Sequence, residues 1–133
     1  GVTPTAVEEI VRISSPVTHF RRTVTTDGVR LGDHEFSAGD KVVLWYNSAN
    51  RDEEVFTDPD RFDVTRDPNP HVGFGGPGPH FCLGAHLARR EIGAMFRQLL
   101  TRLPDIEATD EPDRLRTNFV NGIKHLPCTY TPA

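Results

Sequence analysis

Apolar and polar positions along the chain fall into one short helical period, several strand-like runs and one long helical period. Val7, Ile10 and Val11 recur at three and four, the buried stripe of a short helix. Thr5-Ala6-Val7-Glu8 reads as a capping box at its start, and Pro16 stops it. Residues 16–23 leave the helix as extended chain. Thr23 to Thr26, Val29 to Leu31 and Lys41 to Trp45 read as strands, with turns at Asp27-Gly28 and at Ala38-Gly39-Asp40. The run Val42-Val43-Leu44-Trp45-Tyr46 is apolar on both faces, which predicts burial. Asn47 to Arg51 predicts a helical turn, and residues 55–72 a long irregular segment of the kind that is usually functional in a compact domain. Leu83, Leu87, Ala88, Ile92, Met95, Phe96, Leu99, Leu100 and Leu103 then repeat at three and four, a helix of about 30 Å ended by Pro104. Asp105 to Arg114 reads as a charged surface connection. Phe119 to Ile123 reads as a hairpin tip with Leu126 to Tyr130 returning, and Cys128 as a small buried residue.

The 133 residues suffice for one modest core, residues 1–133 forming a single unit. A net charge of -4 gives no basic footprint for nucleic acid. No apolar run approaches the ~18 residues of a membrane span, and no signal peptide opens the chain. Two cysteines 46 positions apart make no disulfide framework or zinc-ribbon spacing and fit a reducing, cytoplasmic setting.

The chemistry concentrates between Phe74 and Leu87. Phe74-Gly75-Gly76-Pro77-Gly78-Pro79-His80-Phe81-Cys82-Leu83-Gly84 places a cysteine at the end of a Gly-Pro bend, just before a helix start. Glycine permits close backbone approach, proline stiffens the path, and the helix dipole favours thiolate at Cys82. Such a loop suits one large planar partner, haem iron with a cysteine axial ligand.

This segment resembles the cysteine-ligand loop of cytochrome P450 enzymes: an aromatic, a Gly-rich bend, a basic residue, Cys, any residue and Gly. Phe74 stands eight residues before Cys82 where the common pattern has seven, so the bend is one residue longer. It is similar in this to bacterial members that oxidise sterols and methyl-branched lipids. The resemblance implies an α+β fold, the C-terminal portion of the P450 fold: short helix, small mixed β-sheet, irregular meander, Cys-ligand loop, long helix and C-terminal β-hairpin. A P450 domain is roughly three times this length, and its acid–alcohol pair for dioxygen lies N-terminal of the region seen. The chain is therefore expected to be a fragment that does not run the full cycle alone.

The same resemblance implies roles for individual residues. Cys82 would ligate haem b, Phe74 and Gly75 would pack on the thiolate side, and backbone N–H groups of Leu83 and Gly84 would tune the sulfur. His80 and Arg22, the latter favoured over Arg21, would bind propionates; arginine suits this because its planar fork takes carboxylate in bidentate fashion. Val17, Thr18, His19, Phe20, Phe119 and Val120 would face an apolar substrate. Glu9 and Arg12, three apart on one helix face, would join Arg61 of Pro59-Asp60-Arg61-Phe62 in a buried network that fixes loop geometry. Arg89, Arg90, Arg97 and Arg102 form either a solvated face or a docking surface for a ferredoxin-type electron donor. The implied reaction inserts one oxygen atom from dioxygen into a C–H bond.

Two other readings stay open. Cys82 and His86 at i, i+4, with His80 and His71 nearby, could form a metal-binding module. A truncated, non-catalytic interaction piece is the other.

Overall fold

Thr3, not Thr5, caps the first helix, α1 (Pro4–Ser14). Its hydroxyl accepts from the Ala6 N–H at 3.2 Å, and Pro4 takes the first helical position, where a missing N–H costs nothing. The capping box expected at Thr5–Glu8 is displaced by this earlier cap, and the Glu8 carboxylate is drawn to other partners. At the far end Ser15 takes a left-handed conformation, φ 37°, and its N–H bonds Val11 O at 3.1 Å before Pro16. The computed structural model describes residues 2–131; Gly1, Pro132 and Ala133, the ends of the expected 1–133 unit, lie outside the described residues.

Strand β1 (His19–Thr23) pairs antiparallel with β4 (Lys41–Trp45), in register from His19↔Trp45 to Thr23↔Lys41. Between them β2 (Val29–Leu31) and β3 (His34–Phe36) form their own hairpin around Gly32-Asp33. The sequence placed that turn at Asp27-Gly28 and a strand at residues 23–26. Both give way because Val24 bonds Gly39 and Asp40, the Gly28 N–H bonds Phe36 O, and the Asp27 carboxylate accepts from the Ala38 N–H. Tyr46–Ala49 form α2, the expected helical turn. The apolar run Val42–Tyr46 is not buried on both faces: Val43, Leu44 and Trp45 are exposed, since β4 has a single ladder partner among the described residues.

Helix α3 spans Ala85–Arg102, about 27 Å, and meets α1 where Gly93 approaches Val7. Leu83 precedes the helix and is fully exposed, and Leu87, Met95 and Leu100 are exposed too, so only part of the predicted stripe is covered. Beyond it, β5 (Glu107–Ala108) pairs with β8 (Cys128–Thr129), and β6 (Asp113–Arg114) with β7 (Ile123–His125). The segment read as a bare connection thus carries two strands, the tip returns on Asp113–Arg114 rather than on 126–130, and Cys128 is exposed. Among the described residues there are four ladders, all antiparallel and two-stranded, where a small mixed sheet was expected. Among the described residues no helix is long and apolar enough to cross a membrane.

The core is small in apolar terms (Ala6, Val7, Val11, Phe56, Ala85) and built around buried polar groups: Glu9, Arg12, Ser15 and Asn50. Burying a charge is tolerable only when every polar atom is answered. Arg12 Nε and Nη2 donate to the two Glu9 oxygens at 2.7 Å each. Its remaining donors reach the carbonyls of Asn50 (2.8 Å), Pro59 (2.6 Å) and Arg61 (3.1 Å), which uses all five guanidinium N–H groups. Glu9 also accepts from the Asp63 N–H (2.9 Å), Asn69 Nδ2 (3.0 Å) and Arg66 Nε (3.2 Å). The second guanidinium on Glu9 therefore belongs to Arg66. Arg61, expected there from the sequence, gives only its carbonyl, and its side chain lies outside the network. Phe56 sits beneath both charges, 5.2 Å from Arg12 and 5.9 Å from Arg66. Asn50 completes the centre by donating to Ser15 Oγ at 2.9 Å and accepting from the Val72 N–H at 2.8 Å. Residues 50–84, with no helix or strand, are thus held to α1 by hydrogen bonds rather than by apolar packing.

Candidate functional site

That tethering brings the glycine-rich loop against α1. A Cβ on Gly73 would stand 2.6 Å from Val11 Cγ1, so only glycine allows the approach. Gly75 turns the chain back at φ 87°, a left-handed value that disfavours any side chain. The loop then closes on itself: the Gly75 N–H bonds Val72 O (2.8 Å), the Phe81 N–H bonds Gly78 O (3.0 Å), and the Cys82 N–H bonds Phe74 O (3.0 Å). Gly84 caps α3, which places the Cys82 sulfur beside the positive end of that helix.

Cys82 opens onto a cavity of about 470 Å³. Phe74, Gly75 and His80 of the loop share its wall with Val17, Phe20 and Arg22 of the β1 segment, and Tyr46 and Gly73 complete it. Arg22 is exposed, lies 5.4 Å from the Phe20 ring, and pairs with no carboxylate among the described residues. The arrangement offers a soft sulfur donor on one wall and a cationic donor with an imidazole at the rim. It can take a ligand that presents a soft metal to the sulfur and anionic groups to the edge. Leu83 and Gly84 are not on this wall, and no N–H among the described residues donates to the Cys82 sulfur. Tyr46 is a wall residue that the sequence did not single out; its place at the end of an apolar run hid it.

The two predicted apolar segments meet. Val17 bridges Val120, and the Thr18 N–H bonds Phe119 O at 2.9 Å. Thr18 Oγ1 also lies 2.8 Å from Asn118 O, while Asn121 ties the tip to the end of α1 through Ser14 O (2.6 Å) and Pro16 O (2.8 Å). Phe20 and Phe119 meet edge to face at 5.7 Å, and His19 lies between Trp45 (4.8 Å) and Phe119 (5.9 Å). Val17 and Phe20 reach the cavity; Thr18, His19, Phe119 and Val120 stand behind them.

A second charged cluster went unread in the sequence. Arg89 donates two hydrogen bonds to Glu8, at 2.6 and 2.8 Å, and lies 4.5 Å over the Phe74 ring. It is paired, not part of a free basic face; Arg90, Arg97 and Arg102 remain exposed. The Glu8 carboxylate is held below its ordinary value chiefly by the Arg89 hydrogen bonds, with burial opposing and His71 adding to the effect. His71 Nε2 is 2.9 Å from Glu8. The signal was present as Glu8 one residue before Glu9, but pairing across 81 positions leaves no local pattern. The alternative Cys/His metal module fares differently: among the described residues no group of three or more His, Cys, Asp or Glu could hold a metal ion.

Comparison with known proteins bears on this geometry. The family model that matches residues 2–128 is Cytochrome P450. The chain is similar to the methyl-branched lipid omega-hydroxylase of Mycobacterium tuberculosis, 59% identical over 131 residues, covering 98% of this chain and 30% of that protein. It is 49% identical over 129 residues to the steroid C26-monooxygenase of Mycolicibacterium smegmatis, covering 97% and 30%. A solved Mycobacterium marinum cytochrome P450 in complex with pseudoionone superposes with a TM-score of 0.90 at 55% identity, over 94% of this chain and 30% of that one. The chain thus spans about 30% of the length of the curated relatives it matches.

Proposed function

We infer a function from one premise: this chain belongs to the cytochrome P450 family and has part of its α+β fold. In the complete protein we assign it the haem-binding part of a haem-thiolate monooxygenase that acts on an elongated apolar substrate. The observation that carries the assignment is the cavity on which Cys82, Arg22 and His80 converge. Its residues fit haem b: a thiolate donor beside a helix start, a loop flattened by glycine, and two cationic or ionisable donors at the rim for two propionates.

Haem bound through a thiolate supplies dioxygen activation, by which one oxygen atom enters a C–H bond and the other leaves as water. The residues of this chain do the rest. Cys82 would hold the iron, and Phe74 and Gly75 would pack against the cofactor on the side of the loop, from which the Leu83–Gly84 turn leads into α3. Arg22 and His80 would orient the cofactor by binding its carboxylates. Val17 and Phe20, backed by Thr18, His19, Phe119 and Val120, exclude water and align the substrate. The Glu9–Arg12–Arg66 network keeps the irregular segment and the loop in register. The exposed Arg90, Arg97 and Arg102 offer a docking face to a ferredoxin-type donor of the required electrons. The whole is read as a cytoplasmic enzyme.

Three facts support the lipid assignment over a polar substrate. The Val17 and Phe20 side of the wall is apolar, each buried CH₂ contributes about 0.8 kcal/mol, and relatives bear names for methyl-branched lipid and steroid oxidation. Titrating sterols, branched fatty acids and small polar ligands into the complete enzyme, and following displacement of iron-bound water, tests it. Branched lipids or sterols should bind most tightly, and Phe119→Ala should weaken them up to about tenfold, the scale of losing one aromatic contact. Tightest binding by a small polar ligand, unmoved by Phe119→Ala, would refute the substrate class and leave haem binding standing.

A further inference from the structure

The Glu8–Arg89 pair is built to an accuracy that a surface ion pair does not need. Arg89 reaches from α3 to α1 and places both of its bonds on one carboxylate, at 2.6 and 2.8 Å. His71 is a second anchor on that carboxylate, and its side chain is 3% exposed. The Gly73 N–H donates to His71 Nδ1 at 3.0 Å, so that nitrogen is an acceptor and Nε2 carries the proton given to Glu8. The outcome of this arrangement is the placement of one ring. The guanidinium lies 4.5 Å over Phe74, His71 approaches the same ring at 6.0 Å, and Phe74 O receives the Cys82 N–H at 3.0 Å.

We propose that Glu8, Arg89 and His71 are positioning residues that fix the Phe74 ring, and through its carbonyl the Cys82 loop, against the thiolate side of the cofactor. The proposal rests on the haem reading above. Glu8 holds the guanidinium flat, the guanidinium holds the ring by its face, and His71 keeps the carboxylate from swinging away. Groups that hold a metal ligand's surroundings set its electronic properties and its retention without touching the metal.

The test uses the complete haem-loaded enzyme and three measurements: the ferrous–CO band, the reduction potential and the melting temperature. Arg89→Lys keeps the charge near the sulfur but loses the fork and the flat stack. Glu8→Gln keeps the shape and loses the ion. Each should shift the potential in the same direction as Phe74→Leu and make the thiolate-type CO band decay about tenfold faster, the scale of an outer-sphere loss. Adding Arg89→Lys to Phe74→Leu should move the potential no further, since Arg89 acts through that ring. Additive shifts, or a lowered melting temperature with potential and band unmoved, would overturn the proposal and leave a plain structural tie. If Glu8→Gln does not fold, Arg89→Lys carries the test alone. A wild-type enzyme with no thiolate band sinks the haem reading and this one with it, whereas a normal wild-type band with unmoved variants sinks this one only.

Discussion

Cys82→Ala in the complete enzyme should abolish the thiolate-type ferrous–CO band entirely, while Cys128→Ala leaves it unchanged. The asymmetry follows from position. Cys82 ends a loop whose closing bonds, Gly75 N–H to Val72 O, Phe81 N–H to Gly78 O and Cys82 N–H to Phe74 O, are made by backbone atoms, so removing its sulfur leaves the fold of the loop intact and deletes only the donor. Cys128 sits in a two-residue strand paired with Ala108 and does not line the cavity, so its thiol is not placed to reach the iron. Apoprotein content and melting temperature should fall little in either variant. Haem retained in Cys82→Ala with an unchanged thiolate band would end the assignment of the cavity. Haem lost from Cys128→Ala as well would point to instability rather than ligation.

The Cys82 side of the cavity was legible because its elements are local. A Gly-Pro bend, a cysteine and a helix start lie within a dozen residues, and each dictates its own conformation. The β1 segment and the 119–120 tip were legible only through resemblance, since their pairing spans about a hundred positions. What misled was context. Periodicity marks which face of a strand or helix is apolar, but not whether anything covers it, so β4 and much of α3 were read as buried and are exposed. Turn residues misled at Asp27-Gly28, where a suitable dipeptide terminates one ladder instead of closing it. Arg61 was misassigned for a related reason: sequence spacing selects a neighbourhood, and in a segment without helix or strand the chain can turn either of two arginines inward. Arg66 wins because its guanidinium also reaches the carbonyls of Thr57 and Asp58, which anchor it from both sides of the turn.

Glu9→Ala should destabilise the complete enzyme by roughly 3–5 kcal/mol and release haem at a lower temperature, because it strands Arg12 without a counter-charge in a fully buried site. Replacing both partners, as in Glu9→Leu with Arg12→Met, should recover only part of that loss. The buried Arg12 charge is gone, but Arg66 is left without its carboxylate partner, and the Arg12 bonds to Asn50 O, Pro59 O and Arg61 O that hold the irregular segment on α1 are lost too. Arg66→Ala should cost far more than Arg61→Ala, whose exposed side chain puts it within about 0.5 kcal/mol of wild type. Equal effects at the two arginines would restore the pairing expected from sequence. The pH dependence has a definite sign. Burial pushes the Glu9 carboxyl up, but its hydrogen bonds from Arg12 and the Asp63 N–H, with the charges of Arg12 and Arg66, bring it below its ordinary 4.5. A carboxyl lowered in the folded state contributes stability that is present above the unfolded value and lost as pH falls through the folded one. Wild-type haem retention should therefore hold down to about pH 4.5 and fall below it. In Glu9→Gln that acid step should shrink, because the residue no longer titrates. A Glu9→Gln variant with the wild-type acid profile would mean that other carboxylates set it.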